Sequence, residues 1–326
     1  MIRLATVGTS EICDVFLTGA LKLDCYKLSA VYSRNADTAK AFAKKHDCNK
    51  IYTDLSQMAA SPDIDAVYIA TPNLFHFEQS RLFLENKKHV LCEKPIATSL
   101  NEYLDNKLLA DKNGVIYMEA IMSRHHKEHS KIKECLNEIG QIRLARFDFN
   151  KRSSRLDYFL DGNAVNIFDM SLRAGALMDI GVYCVYAAVD FFGKPDSIMA
   201  ESQLLYNGAD GSGCAIFNYG GFLANLTYGK TGNGTLGSEI IGDKGVLKIP
   251  SVSQYTGVTL VKNGKEYPIS DITEKSKIMS YEADCFAEFI LNSHNIKEKY
   301  SSISRLCADV HSCMDEIKIK SRLKYK

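Results

Sequence analysis

The sequence predicts an α/β fold in two parts: a doubly wound parallel sheet at the N-terminus, then an α+β domain with a large, mostly antiparallel open sheet. Three observations carry this. Short apolar strands alternate with helical segments through the first 120 residues, the pattern of β–α–β units whose right-handed crossovers build a parallel sheet. After about residue 120 come strands separated by Gly-rich turns. The chain also begins on a strand, a turn and a helix signal, "VGTSEI" at 7–12, the place where doubly wound folds receive a nucleotide.

The elements follow in order. "IRLATVG" (2–8) is a β-branched and apolar strand, and "SEICDVFLTGALKL" (10–23) puts Ile12, Val15, Phe16 and Leu21 near helical spacing. "KLSAVYS" (27–33) is a strand and "ADTAKAFAKKH" (36–46) a helix. "IDAVYIAT" (64–71), bounded by Pro62 and Pro72, is a buried strand, followed by a helix over 75–87. A strand at 88–93, a helix at 99–114 closed by Gly114, and a strand at 115–120 complete the first domain, 1–120. The second, 121–326, starts with a helix near 128–138. Its strand segments lie at 141–152, 196–206, 213–219, 221–229, 237–249 and 257–269, with hairpin signals at Gly220-Gly221 and Asn263-Gly264. Helices near 281–293 and 301–320 close the chain.

Composition narrows the function. A net charge of +1 argues against a nucleic-acid partner, and the one basic run, at 317–326, reads as a solvated helix end. Residues 1–25 lack the parts of an export signal, and no uninterrupted apolar run approaches 18 residues, so no membrane span is expected. Ten scattered cysteines without a C-x-x-C fit reduced thiols in a cytoplasm. No Asp, Glu and His cluster suits a metal.

The turn departs from G-x-G-x-x-G: Gly8 holds the first position, Ser10 the second and Cys13 the third. Gly8 permits the tight turn, and the helix N-terminus offers amide hydrogens and partial positive charge to a pyrophosphate. Taken alone, the segment reads more readily as an ordinary strand-to-helix turn than as a cofactor loop. The strand at 27–33 ends in Ser33-Arg34 instead of the acid that holds a ribose. A hydroxyl and a guanidinium suit a 2′-phosphate, favouring NADP(H) while admitting NAD(H). The plainer account of Arg34, a loop residue in solvent, stands beside this.

Two further segments fall beyond the carboxyl ends of strands: "ATPNLFH" (70–76) and "CEKPI" (92–96). With the opening turn, "MEAIMSRHH" (118–126) and "AGALMDIGVYCV" (174–185), the whole chain resembles the glucose–fructose oxidoreductase, inositol dehydrogenase and rhizopine-catabolism (Gfo/Idh/MocA) family. Glu-Lys-Pro at 93–95 is its most recognisable mark, and 174–185 is similar to its G-G-x-L-x-D-x-G-x-[HY] segment. The resemblance implies a Rossmann domain holding the cofactor through Gly8, Thr9, Ser10, Glu11, Ile12, Ser33, Arg34, Thr71, Pro72, Asn73, His76, Glu93, Lys94 and Pro95. It implies that Lys94 contacts both the nicotinamide ribose and the reacting oxygen. Tyr183, where many members carry His, points to the branch of glucose–fructose oxidoreductase and dimeric dihydrodiol dehydrogenase, which typically uses NADP.

Asp179 and Tyr183 also have a reading of their own. Four residues apart, they project from one helical face. A phenol titrates near 10, and the Lys94 ammonium would favour its phenolate, making Tyr183 an acid/base with Asp179 and Lys94 as its partners. Arg124 and His126 align with a Y-R-x-H-P pattern of the family and are expected at the substrate with Asp179 and Tyr183. Ser123 and Lys127 depart from that pattern, which leaves the substrate open among sugars, cyclic polyols and trans-dihydrodiols. A second reading is a catalytically silent NADP sensor that binds a protein partner. Large apolar residues on both registers of "CAIFNY" and "FLANLTY" predict a sheet covered on both faces, hence a homodimer or higher oligomer.

Overall fold

Six parallel strands form the first sheet: β1 (Ile2–Val7), β2 (Tyr26–Tyr32), β3 (Ile51–Tyr52), β4 (Ala66–Ile69), β5 (His89–Glu93) and β6 (Tyr117–Ala120). Their order is β3-β2-β1-β4-β5-β6, the doubly wound arrangement whose direction reverses between β1 and β4. The connecting helices are α1 (Glu11–Ala20), α2 (Ala36–Lys45), α3 (Leu55–Ala59), α4 (His76–Glu85) and α5 (Leu100–Asn113). Every residue of β4 and β6 is buried, as helices on both faces of a parallel sheet require. The two-residue β3 and the short α3 were not expected, because neither is long enough to show a period. Gly114 closes α5 with a left-handed φ of 68°.

The second sheet has eight strands: β7 (Ile142–Asn150), β8 (Ser197–Leu204), β9 (Asp210–Asn218), β10 (Leu223–Gly229), β11 (Ser238–Gly242), β12 (Val246–Ile249), β13 (Thr259–Lys262) and β14 (Lys265–Pro268). The order is β14-β13-β12-β11-β7-β10-β9-β8, and only β10 with β7 pairs in parallel. Asn263 and Gly264, at φ 52° and 70°, make the two-residue turn between β13 and β14. The other helices of this region are α6 (His129–Glu138), α7 (Leu156–Leu160) and α8 (Val182–Phe192). A π-helical turn at Leu177–Gly181 leads into α8. By length and composition the helical run Met170–Phe192 would cross a membrane, but 89% of its apolar window is buried within the protein. Between β7 and the π-turn, Leu156, Phe159, Val165 and Phe168 pack with Ala209 into a small core of their own.

Residues 1–292 and 297–324 are described by this computed structural model. Ser293, at the end of the helix expected over 281–293, and Tyr325 and Lys326 of the basic ending lie outside them. The chain ends in α9 (Lys275–Leu291) and α10 (Lys297–Lys320). It divides into one unit of Met1–Met122 with Glu274–Ser304 and a second of Ser123–Thr273 with Arg305–Lys326. A single division near residue 120 therefore needs correction, since α9 returns to the first unit. Gly19 is the reason: a Cβ there would lie 2.1 Å from the Ser276 carbonyl oxygen, so its absence lets α1 and α9 touch. Tyr26 donates from its hydroxyl to the Ala283 carbonyl at 2.6 Å. Tyr300 covers the edge strand β6, accepting from the Tyr117 amide at 2.9 Å and donating to its carbonyl at 3.0 Å.

Candidate active site

At the direction reversal of the first sheet, Gly8 has a φ of 113°, and a Cβ on it would meet the Ala70 carbonyl oxygen at 2.7 Å. Only glycine fits there without displacing β4. Ser10 is the N-cap of α1 by position, yet its side chain makes no capping bond, so the first amides of α1 keep their capacity for an anion. Cys13, in the third motif position, is fully buried beneath the turn, and burial pushes its thiol up to about 12. A neutral, compact side chain thus replaces the third glycine. Thr9 and Ile12 are partly exposed, and Ser10 and Glu11 exposed. Ser33 and the exposed Arg34 follow the end of β2; the Ser33 hydroxyl accepts from the Asn35 amide at 3.3 Å.

His76 ties the two neighbouring loops together. Its Nδ1 lies 2.8 Å from the Pro95 carbonyl and its Nε2 2.7 Å from that of Thr71. The ring is buried, and burial holds its pKa below the usual value despite the two carbonyls. The ring thus lies between Thr71–Asn73 and Glu93–Pro95, and in its neutral form its one N–H donates to one of the two carbonyls. The Glu93 carboxylate, also buried, accepts from the Tyr68 hydroxyl at 2.6 Å and the Lys94 amide at 3.2 Å. Burial pushes this carboxyl upward against the pull of the Lys94 charge. The Lys94–Pro95 bond is cis, and the Ile96 amide beyond it donates to Glu119 at 2.8 Å. Lys94 itself is half-buried.

In the second unit, Asp179 lies in the π-turn and Tyr183 just inside α8. The sequence pattern implied an α-helix throughout; the wider turn is the correction, a local form that recurs at functional sites. Tyr183 is buried, its ring centroid 5.9 Å from that of Phe149. Lys230, directly after β10, donates to Asp179 Oδ2 at 2.7 Å. Asp210, first residue of β9, accepts from the Leu177 amide at 2.6 Å. Gly175 makes room for it, since a Cβ there would lie 1.9 Å from Asp210 Oδ1. Burial pushes the Asp210 carboxyl up to about 7, opposed by bonds from backbone amides.

Arg124 and His126 occupy a neighbouring polar cluster. Arg124 Nε lies 3.5 Å from Asp190 Oδ1, His129 hydrogen-bonds Asp190, and the Lys133 ammonium donates to the Asp190 carbonyl at 2.6 Å. The Asp190 carboxyl is brought down to about 2: burial works to raise it, and the bond and charge of His129, helped by Arg124 and Lys133, prevail. His126 is buried with Nδ1 3.0 Å from Glu128 Oε2, and burial lowers its pKa. Arg124 thus pairs with Asp190, and His126 is buried beside Glu128.

Lys230, Asp210, His129 and Asp190 were absent from the sequence reading. Lys230 left a faint sign, a lysine ending an apolar strand before "TGNG", but no local period links it to Asp179.

Residues 2–121 match the model of an oxidoreductase family with an NAD-binding Rossmann fold, and residues 129–248 match the GFO/IDH/MocA C-terminal domain. The chain is 40% identical over 291 residues to scyllo-inositol 2-dehydrogenase (NADP(+)) IolU of Bacillus subtilis, covering 89% of this chain and 88% of that protein. It is 31% identical to trans-1,2-dihydrobenzene-1,2-diol dehydrogenase of Xenopus tropicalis, over 89% and 88% of the two chains. A solved structure of KijD10, a 3-ketoreductase from Actinomadura kijaniata in complex with NADP and TDP-benzene, superposes with a TM-score of 0.85. It is 24% identical and covers 98% of this chain and 97% of that one.

Proposed function

Because this chain belongs to the Gfo/Idh/MocA family of oxidoreductases, we propose that it transfers a hydride between NADP(H) and a secondary alcohol or carbonyl of a sugar, cyclic polyol or trans-dihydrodiol. The observation that carries this is the Asp179–Tyr183 pair, a carboxylate held by Lys230 one turn before a buried phenol. The names of the relatives, an NADP(+) inositol dehydrogenase and dihydrodiol dehydrogenases, support the cofactor and substrate class.

The first unit fits the cofactor by a cradle that a Cβ would fill at Gly8, and by a helix N-terminus that Ser10 leaves uncapped. Gly8 to Ile12 would take the pyrophosphate, and Ser33 with Arg34 the 2′-phosphate. Thr71–Asn73 and Glu93–Pro95, with His76 between them, would hold the nicotinamide ribose. The nicotinamide, when bound, supplies or accepts the hydride. Tyr183 takes the hydroxyl proton on oxidation and returns it on reduction, Asp179 orients the substrate, and Lys94 favours the charged oxygen.

The test is NADPH formation from NADP+ with a panel of inositols, aldoses and dihydrodiols, and NADPH consumption with ketoses, beside Lys94→Met and Tyr183→Phe. Turnover that both variants abolish while still binding NADPH supports the reading. NADPH binding with no turnover of any alcohol or carbonyl overturns it in favour of the sensor. We also propose a cytoplasmic location, supported by ten cysteines that form no disulfide among the described residues, and self-association through the outer face of the second sheet. There Met199 pairs across with Ile216, and Leu223 is exposed beside them. Light scattering that gives a monomer mass would exclude the association.

A further inference from the structure

We propose that Lys230 is a positioning residue for Asp179, and that it sets the rate of the reaction by fixing the Asp179 carboxylate beside Tyr183. This rests on the oxidoreductase reading above.

The helix alone does not orient Asp179, because rotation about its terminal torsion is broad. The ion pair does. Lys230 Nζ lies 2.7 Å from Oδ2, with the ammonium side chain 10% exposed and the carboxylate side chain 30% exposed. Screening is therefore weaker than for the pair of Lys50 with Asp63, 43% and 61% exposed.

Lys230 is itself immobilised on both sides of its backbone. Its amide donates to the Gly211 carbonyl at 2.7 Å, and its carbonyl accepts from the Ser153 amide at 2.8 Å. The approach of strand to helix is built in two residues earlier, where Gly181 lies on the ring of Tyr228. At the other end of the motif Asp210 holds the Leu177 amide. The turn bearing Asp179 is thus held from β9 and from the end of β10, leaving its exposed part to meet a substrate hydroxyl. A buried lysine with one carboxylate partner in such a place is a support for that carboxylate.

The experiment measures kcat, KM, NADPH affinity and melting temperature for Lys230→Met, Lys230→Arg and Lys230→Ala. We expect Lys230→Met to lose about tenfold or more in kcat/KM, the loss of one charge-assisted bond, with NADPH affinity unchanged. Lys230→Arg restores most of the rate, and methylammonium, but not tetramethylammonium, raises kcat of Lys230→Ala. Should Lys230→Met fail to fold, the response of Lys230→Ala to the two cations decides. A kcat/KM within twofold of wild type in Lys230→Met overturns the inference, as does equal loss in Arg and Met variants without response to methylammonium. Wild-type turnover and its loss in Tyr183→Phe separate that result from failure of the oxidoreductase reading, in which the unaltered protein turns over nothing.

Discussion

Gly181 rests directly on the ring of Tyr228: a Cβ added to the glycine would come within 2.9 Å of Tyr228 Cγ and 3.0 Å of Cδ2. Tyr228 is fully buried on β10, and Gly213 on β9 clears the far end of its ring, where a Cβ would lie 2.6 Å from the hydroxyl oxygen. A large ring is thus fitted between two glycines, and the separation of the π-turn from the sheet is set by their lack of side chains.

Gly181→Ala must therefore push the turn away from β10. Overpacking of this kind costs about 1–3 kcal/mol, and the displaced Asp179 would lose its contact with Lys230. We expect a lower melting temperature together with a fall in kcat. Unaltered kinetics in a destabilised protein would mean that the turn shifts without moving Asp179.

Ser10 is exposed and caps nothing, so Ser10→Val costs little in stability. It crowds the pyrophosphate position and removes a hydroxyl donor, and hydrogen bonds to charged groups are worth about 1.5–3 kcal/mol. The NADPH dissociation constant measured by fluorescence titration should rise about tenfold or more. Unchanged affinity would return the turn to scaffolding.

Arg34 follows β2 as an exposed side chain. Arg34→Asp replaces a guanidinium by a carboxylate suited to a ribose diol. NADPH affinity should fall about tenfold to a hundredfold from loss of charge-assisted bonds, while NADH affinity rises. Parallel changes for both cofactors would show that Arg34 does not discriminate between them.

Asp210 links stability to pH. Its carboxyl stands at about 7 in the native protein against an ordinary 3.8, so the native state binds the extra proton between those values. Stability from this group is complete below 3.8 and is lost as pH rises to about 7. Asp210→Asn keeps an oxygen for the Leu177 amide but cannot titrate. The melting temperature of wild type relative to this variant should fall across that window and level off above it. A difference independent of pH would show that the carboxyl is hydrated.

Much of the architecture is local in origin and so was legible. The alternation that builds the parallel sheet, the αL closure at Gly114 and the turn at Asn263-Gly264 each lie within one element or turn, and Asp179 and Tyr183 are only four residues apart. The family motifs are short stretches of the same kind. Gly8 belongs with them, since a tight turn between strand and helix calls for glycine before any partner is known.

What remained hidden joins residues distant in the chain. Lys230 reaches Asp179 across 51 positions, and Asp210 meets the Leu177 amide across 33. His76 finds the Pro95 carbonyl 19 residues on, and Gly19 admits a helix that begins at Lys275. Arg124, expected at the substrate, also lies 3.5 Å from Asp190 Oδ1, a contact across 66 positions. Periodicity assigns a residue to a face of its own element. Which atom of another element that face meets is decided only when side-chain volumes, and the places where glycine leaves none, set how closely the elements approach.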